Sequence, residues 1–243
     1  MGRLTSKLTE RLTCKLVTSL TPKPTECTVV VGRFDAVDDH LEFPVNGPDF
    51  ATDWRLTWIM NTPRTKDNGI FGTSSLDWYV LIQSDGRIRI RTPLTGFTDI
   101  PGATVGYAAN TWATFSLIWD QSTTTLSLEV DSVEVWNDPA YAETGAWDAL
   151  AVGTIRNSVV SAPFDGYIKD VEFVQNGSTV GYWPVNDDSG NSDGSLIADQ
   201  SGNGNDGILD NDDESTFWER LPCEGIPSLS IGSMEIGSSF IIG

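Results

Sequence analysis

The stretch WYVLIQSDGRIRIRT, residues 78–92, decides the fold class of this chain. Two runs rich in β-branched and aromatic residues, 78–83 and 87–92, flank the turn signal Ser84-Asp85-Gly86. Asp-Gly favours the positive φ angles that a tight hairpin needs. The stretch therefore predicts an antiparallel β-hairpin.

Short runs of this kind recur along the chain, and turn residues separate them. No segment between residues 27 and 183 has the apolar period of an amphipathic helix. Nine Trp, ten Phe and five Tyr supply large side chains for a core. We therefore expect a β-sandwich or a barrel, with these candidate strands: 40–44, 54–60, 78–83, 87–92, 112–119, 124–130, 133–137, 150–155, 166–174 and 179–184.

The order of several motifs resembles that of laminin-G-like, concanavalin A-like domains. Residues 32–43, GRFDAVDDHLEF, are similar to the opening strand signature of these domains, although Ala36 replaces the usual Gly. Asp131-Ser132 likewise stands where Asn-Gly or Asp-Gly is usual. The resemblance implies an all-β, antiparallel two-sheet jelly-roll sandwich with an extended arm at each end. It covers about residues 30–220 and includes further segments in order: 50–60, 110–119, 150–153 with 164–173, and 182–207.

The formal net charge of −19 argues against a nucleic-acid-binding surface, because an acidic protein repels phosphates. No apolar run is long enough to span a membrane. The first twenty residues alternate Leu with Thr, Lys and Arg and do not form the apolar core of a signal peptide. We therefore expect neither nucleic acid nor a membrane as a partner.

The first segment, 1–25, differs from the rest of the chain in charge and in pattern. It holds five Lys or Arg against one Glu, a net charge of +4, which leaves −23 on the remaining residues. We interpret it as a basic docking arm, helical or extended, that orders on an acidic partner; the alternative is a solvated tail. Its leucines recur at every fourth position: Leu4, Leu8, Leu12, Leu16 and Leu20.

Residues 26–224 form the predicted sandwich, and they include a Gly/Asn/Asp/Ser-rich acidic loop at 186–214. The tail 225–243 alternates small and apolar residues and is predicted to be an assembly strand that pairs with another chain. Cys27 and Cys223 bracket the sandwich. They form either a bridge between its first and last strands or two reduced thiols.

Glu129, Asp131 and Glu134 match the spacing E-x-D-x-x-E, which some glycoside hydrolases of this sandwich fold carry on one strand. The flanking apolar residues instead predict a hairpin with its turn at Asp131-Ser132, on which the carboxylates scatter. We therefore predict that the protein is not an enzyme.

A calcium site is a second hypothesis. Asp199, Ser201 and Asn203, with Asp210 twelfth, repeat the ligand spacing of an EF-hand loop, although helical flanks and the final Glu are missing. The resemblance also implies calcium, which laminin-G-like domains commonly hold in loops. The alternative is a loop whose Asn, Asp and Gly serve backbone turns. The candidate ligands are Asp38, Asp39, Asp187, Asp188, Asp199, Ser201, Asn203 and Asp210.

A carbohydrate surface is a third hypothesis, because sugars bind exposed aromatic faces beside polar side chains that hold hydroxyl groups. Several aromatic residues lie in or next to turn-rich stretches, although most aromatic residues of a sandwich belong to its core. The candidate glycan-binding residues are Trp78, Tyr79, Trp136, Asn137, Asp138, Tyr141 and Trp147.

A further resemblance is to bacteriophage virion proteins. It rests on the two arms, on the missing signal peptide and on the late position in the chain of the Asp/Asn/Gly-rich segment 182–207. The resemblance implies a non-enzymatic virion structural protein, a capsid decoration, fibre or tail component, at the virion surface after assembly in the host cytoplasm. Its expected partners are other virion proteins and sister chains in a homo-oligomer, and cell-surface glycans are a further candidate. The alternative is a carbohydrate-binding module that recognises surface glycans, and a glycoside hydrolase is a distant third.

Overall fold

Sixteen strands form two antiparallel sheets in the part of the chain that the structure, a computed structural model, describes. One short helical turn, α1 (Gly102–Val105), joins them. The described residues are 28–37, 39–74, 77–155, 162–185, 196–210, 217–222 and 227.

The strands are numbered in chain order. Their bounds are β1 Thr28–Asp35, β2 His40–Phe43, β3 Trp54–Asn61, β4 Asn68–Gly72, β5 Tyr79–Ile82, β6 Ile88–Thr92, β7 Gly96–Ile100, β8 Ala113–Asp120, β9 Thr125–Val130, β10 Val133–Asp138, β11 Leu150–Val152, β12 Asp165–Gln175, β13 Ser178–Trp183, β14 Leu196–Ile197, β15 Gly207–Asp210 and β16 Trp218–Pro222.

Each sheet contains eight strands. Sheet A has the order β10-β9-β8-β3-β12-β1-β16. The strand β12 pairs along one edge with β1 through residues 165–168 and then with β13 through residues 171–175. Sheet B has the order β14-β15-β2-β11-β4-β5-β6-β7. Hairpins between consecutive strands account for half of the strand pairs, and the other half join strands that are distant in sequence, so the order of the sheets depends on long-range pairing as well as on hairpins.

The core lies between the inner faces of the two sheets. Trp58 of β3 stacks on Phe115 of β8 at 5.4 Å and meets the edge of Phe71, which β4 contributes from sheet B, at 4.9 Å. Phe34 of β1 makes edge contacts with Phe164 and Phe217. Side chains of this size contribute roughly 1.5–3 kcal/mol each when fully buried, and ring pairs add to that value.

The predicted fold class, an all-β antiparallel two-sheet sandwich of the jelly-roll type, is confirmed. All ten candidate strands are present, and their ends differ by at most three residues from the prediction. The two predicted arms, the leucine stripe, Cys27 and Cys223 lie outside the described residues.

Several strands escaped prediction for identifiable reasons. β4, NGIFG, is buried at every position, so it lacks the alternation of a half-exposed strand. β14 and β15 lie inside the stretch 186–214, which was predicted as a loop because glycine and acidic residues outnumber its apolar ones. That prediction is wrong for these two strands, since two apolar residues are enough for a short pairing.

The two predicted hairpin turns form, with different backbone conformations. At 84–86 only Gly86 has a positive φ, and the turn closes with a hydrogen bond from Gln83 N–H to Arg87 O at 2.8 Å. Asp131 and Ser132 both have positive φ, 50° and 64°, as a two-residue type I′ turn requires.

Candidate functional site

The outer surface of sheet B carries a row of arginines next to an exposed aromatic ring. We name this surface the arginine face, and its residues come from β5, β6 and β7: Tyr79, Leu81, Arg89, Arg91, Phe97 and Asp99. The alternation of side chains along a strand explains why these arginines are on the outer surface. Ile88 and Ile90 of β6 point into the core, so Arg89 and Arg91 point outward.

Cross-strand register brings the members of the arginine face together. Arg89 lies opposite Asp99 of β7, and Arg91 lies opposite Phe97 of the same strand. On the other side of β6, Arg91 lies opposite Tyr79 of β5. Directly opposite residues on one face have Cβ atoms about 4.5–5.5 Å apart, so these pairs touch.

Arg89 and Asp99 form a two-pronged ion pair. Arg89 donates from Nε to Asp99 Oδ1 at 2.6 Å and from Nη2 to Oδ2 at 2.8 Å. The hydrogen bond from Arg89 lowers the pKa of Asp99 and raises that of the guanidinium. Just before β6, Arg87 contacts a single oxygen of Asp85 in the turn, Oδ2, from Nε at 2.8 Å and from Nη2 at 2.7 Å.

Arg91 is held differently. Its guanidinium carbon lies 5.3 Å from the centroid of the Phe97 ring and 5.9 Å from that of the Tyr79 ring, within the range of cation–π attraction. Among the described residues, the one carboxylate within 4.0 Å of its guanidinium is that of Asp77, at 3.9 Å. At that distance a direct hydrogen bond is not made.

Phe97 is the exposed ring of the arginine face, with 58% of its surface accessible, whereas Tyr79 keeps only 6%. Tyr79 packs against Leu81 and Ile155 in a small apolar cluster outside the main core. The buried Tyr79 ring therefore contacts Arg91 on the protein side, and the Phe97 ring is exposed to solvent.

The turn between β6 and β7 fixes the position of Phe97. Leu94 N–H donates to the buried carboxylate of Glu143 at 3.1 Å, and the same carboxylate accepts from Thr144 and Gly145 N–H. Thr95 Oγ1 donates to the Tyr141 hydroxyl oxygen at 3.1 Å. The arginine face is thus built on sheet strands with an anchored turn, which limits the rearrangement that binding requires.

Most of the predicted glycan-binding aromatics lie elsewhere. Trp78, Tyr141 and Trp147 are buried in the main core, where Trp78 stacks on Phe50. A buried ring offers no face to a sugar, so the prediction is wrong for these three rings.

The remaining predicted glycan residues divide between the two sheets. Tyr79 belongs to the arginine face, although its ring is mostly covered. Trp136 is partly buried against the core on β10 of sheet A. Asn137 donates to Glu134, and Asp138 accepts from Ala140 N–H. The structure therefore does not gather these residues into one surface.

The carboxylates of the hydrolase-like motif lie on the predicted β9–β10 hairpin, but they do not scatter as expected. Glu129 lies directly opposite Glu134, while Asp131 sits in the turn and accepts from Thr114 N–H at 2.9 Å. Glu134 is exposed on the outermost strand of sheet A and accepts from Asn137. This exposed edge does not bury a carboxyl group as a glycosidase acid requires.

The side chains of the predicted calcium loop make hydrogen bonds with backbone groups of the loop and of β13. The Asp199 carboxylate accepts four hydrogen bonds, from Tyr182 N–H, Ser201 N–H, Ser201 Oγ and Asn205 N–H. The Asn203 side-chain amide donates to backbone carbonyls of β13. The loop therefore matches the alternative, in which Asp and Asn serve backbone turns.

The other predicted calcium ligands do not join Asp199. Asp39 is buried and accepts from Asp35 N–H at 2.7 Å, and Asp210 lies 3.7 Å from the His40 ring at the opposite end of β15. The described residues contain no group of three or more His, Cys, Asp or Glu that could hold a metal ion. Asp38, Asp187 and Asp188 lie outside the described residues.

A concavity, separate from the arginine face, lies on sheet A, with a volume of about 270 Å³. Arg55, Ile118 and Val174, neighbours on three strands, line it together with Asp53 and Asp120. The Trp54 and Trp119 rings that also border it pack on Phe50 in the core. This pocket is smaller than usual ligand sites and exposes no aromatic face.

Sequence reasoning missed Phe97 because it missed β7. The signal was present: GFTDI, residues 96–100, alternates as a strand does after the turn that ends in Gly96. Recognising it pairs Phe97 with the arginines of β6, whose outward direction the alternation of 87–92 already indicated.

Comparison with solved structures finds this fold in a "putative carbohydrate binding protein" from Bacteroides ovatus, with a TM-score of 0.58 and 16% identity over 81% of this chain and 60% of that chain. This chain thus spans about 60% of that protein's length. Domains LG4-5 of the mouse laminin α1 chain match with a TM-score of 0.46 and 17% identity, over 63% of this chain and 43% of that one.

A third match is the CBM40 of the Ruminococcus gnavus IT-sialidase, with a TM-score of 0.43 and 14% identity over 63% of this chain and 92% of that chain. No protein-family model matches the sequence, and no curated protein matches it either. At these identities the similarity shows a shared fold alone: the chain is an antiparallel two-sheet β-sandwich. Among its described residues no helix has the length and apolar character needed to cross a membrane.

Proposed function

We propose that this protein is a non-catalytic carbohydrate-binding β-sandwich that binds sugars on the arginine face. The observation that carries the proposal is the ring of Phe97, 58% exposed on the outer surface of a rigid sheet and flanked by Arg91. A single exposed ring is common on protein surfaces, but a ring beside guanidinium hydrogen-bond donors combines the apolar and polar contacts that a binding site uses.

The two side chains offer complementary chemistry to a sugar. The C–H bonds on one side of a pyranose ring are apolar and carry partial positive charge, which suits the electron-rich face of Phe97. The guanidinium of Arg91 lies within cation–π range of the Tyr79 and Phe97 rings, and its N–H groups are donors that hydroxyl or acidic oxygens accept.

The similarity to the Bacteroides ovatus protein supports this proposal, because that structure of the same fold is named for carbohydrate binding. Fold similarity by itself does not fix function, so the argument rests on the arginine face. The role as a virion structural protein depended on segments 1–25 and 225–243, outside the described residues, and carbohydrate binding replaces it as the main proposal.

A glycan array probed with the full-length protein tests the proposal. We expect binding to a defined subset of glycans, and we expect Phe97→Ala to reduce it at least tenfold. Val133→Ala is the matched control, because Val133 is also a highly exposed apolar residue but lies on β10 of the other sheet. Binding that Phe97→Ala leaves unchanged contradicts the assigned site, and an array without any bound glycan contradicts the function.

A further inference from the structure

We infer that the arginine face selects carboxylated sugars, such as uronic or sialic acids, and that Arg91 binds the carboxylate while the sugar ring lies on Phe97. The inference rests on the proposed function and names its ligand class. It follows from a difference between arginines that lie on one strand.

Arg89 and Arg91 have the same orientation on β6 but different cross-strand partners. The neighbour of Arg89 on β7 is Asp99, which engages its guanidinium with two hydrogen bonds. The neighbour of Arg91 on β7 is Phe97, which cannot accept a hydrogen bond in this way. Phe97 lies within cation–π range of both guanidiniums, at 5.0 Å from that of Arg89, but only Arg89 has a carboxylate in hydrogen-bond contact; the Asp77 carboxylate approaches Arg91 only to 3.9 Å.

Arg91 is nevertheless ordered by its surroundings. The Phe97 and Tyr79 rings lie within cation–π range of its guanidinium, the Asp77 carboxylate lies 3.9 Å away, and 33% of its side-chain surface remains accessible. A guanidinium restrained by such neighbours loses less side-chain entropy when it binds, and its paired N–H donors match the two oxygens of a carboxylate. Neutral hydroxyl groups use this geometry less well, because each offers only one oxygen.

The surrounding charges also favour a specific contact over general attraction. Asp85 and Asp99 neutralise Arg87 and Arg89 through direct hydrogen bonds, and the chain as a whole carries −19. A polyanion is therefore not drawn to this protein by its net charge. A carboxylated sugar binds here only if it places its carboxylate at Arg91.

The experiment measures binding of the full-length protein to polygalacturonate, alginate, hyaluronan and polysialic acid. Each polymer is compared with its carboxyl-reduced form, and dextran sulfate serves as a sulfated polyanion. We expect at least one carboxylated polymer to bind tenfold or more tightly than its reduced form, and more tightly than dextran sulfate. Arg91→Gln should abolish that preference, while Arg87→Gln, just before the same strand and paired with Asp85, should leave it unchanged.

Other outcomes separate the two proposals. If neutral glycans bind and carboxyl reduction does not matter, the carboxylate inference is wrong and carbohydrate binding stands. Preference for dextran sulfate, or equal effects of Arg91→Gln and Arg87→Gln, also overturns the inference. If neither the array nor any of the polymers shows binding, the proposed function itself fails.

Asp99→Asn provides a second test that does not depend on losing a function. The substitution removes the carboxylate that engages Arg89, so a second guanidinium becomes available beside Arg91. We expect the affinity for the carboxylated polymer to rise severalfold, with thermal unfolding showing that the variant is folded. An unchanged or lower affinity in a folded Asp99→Asn variant contradicts the inference.

Discussion

Phe43 and Trp183 stack face to face between the two sheets, with ring centroids 3.9 Å apart and planes inclined by 23°. Phe43 belongs to β2 of sheet B, and Trp183 belongs to β13 of sheet A. Trp183 also donates from its indole N–H to the carbonyl of Asn205 at 2.7 Å. One side chain thus joins both sheets and the loop before β15.

Replacing Trp183 tests how much these two contacts stabilise the fold. Trp183→Leu removes the ring stack and the hydrogen bond and leaves a cavity, so we expect a loss of about 3–4 kcal/mol in the free energy of unfolding. Trp112→Leu is the control, because Trp112 is partly exposed, and it should cost less than about 1 kcal/mol. Chemical denaturation measures both values, and similar losses would show that the stack contributes little.

Gly72 of β4 marks a close approach between neighbouring chain segments. A Cβ atom at this position would overlap the backbone of Ile155, which cannot move aside as a flexible side chain can. We expect Gly72→Ala to lower the free energy of unfolding by at least about 2 kcal/mol. Gly177→Ala meets open space and should cost only about 1 kcal/mol, the strain of its positive φ. Equal melting temperatures for the two variants would contradict the conclusion that the Ile155 backbone leaves no room for a Cβ atom at Gly72.

Asp199 is expected to stabilise the fold without calcium. Burial raises the pKa of Asp199, but hydrogen bonds from the Ser201 side chain and three backbone N–H groups together lower it below its ordinary value of 3.8. The ionised carboxylate therefore stabilises the fold above the unfolded pKa, and this stabilisation is lost as the pH falls through the lower folded pKa. Asp199→Ala should cost roughly 2 kcal/mol at pH 7 and less in acid.

Thermal unfolding in calcium and in a chelator provides the control for Asp199. We expect that neither the wild type nor Asp199→Ala changes its own melting temperature between the calcium and the chelator solution. A rise with calcium in the wild type alone would assign this loop to a cation.

Glu172 is expected to have the opposite pH dependence. Burial raises the pKa of Glu172, more than the charge of Arg55 lowers it. Because the folded pKa exceeds the unfolded one, the favourable contribution is present below the unfolded pKa and is lost as the pH rises through the folded pKa. Glu172→Gln, which resembles the protonated form, should therefore raise the melting temperature at pH 7.

The difference between Glu172→Gln and the wild type should vanish near pH 4. Glu134→Gln, at an exposed carboxylate on β10, is the matched control and should leave the melting temperature unchanged at both values. A difference that persists in acid would assign the effect of Glu172→Gln to packing and not to ionisation.

Local features of the chain were predictable where a strand has one exposed face. The alternation in 87–92 and the turn chemistry of Gly86 and of Asp131-Ser132 are properties of a few adjacent residues, so they fix the hairpins. The candidate sugar site was not predictable in the same way. Trp147 and Phe97 are both aromatic residues near turns, yet one is buried and the other exposed.

The sequence by itself determined the class of the fold, most of its strands and the outward direction of the arginines on β6. Only the tertiary structure decided that β12 lies between β3 and β1, and that Phe97 faces Arg91 while Asp99 faces Arg89. The physical reason is that alternation and turns act over a few residues. Sheet order and burial depend instead on contacts between segments that are distant in sequence. Such contacts form only when long loops close, and the pattern of a few adjacent residues does not show which segments will meet.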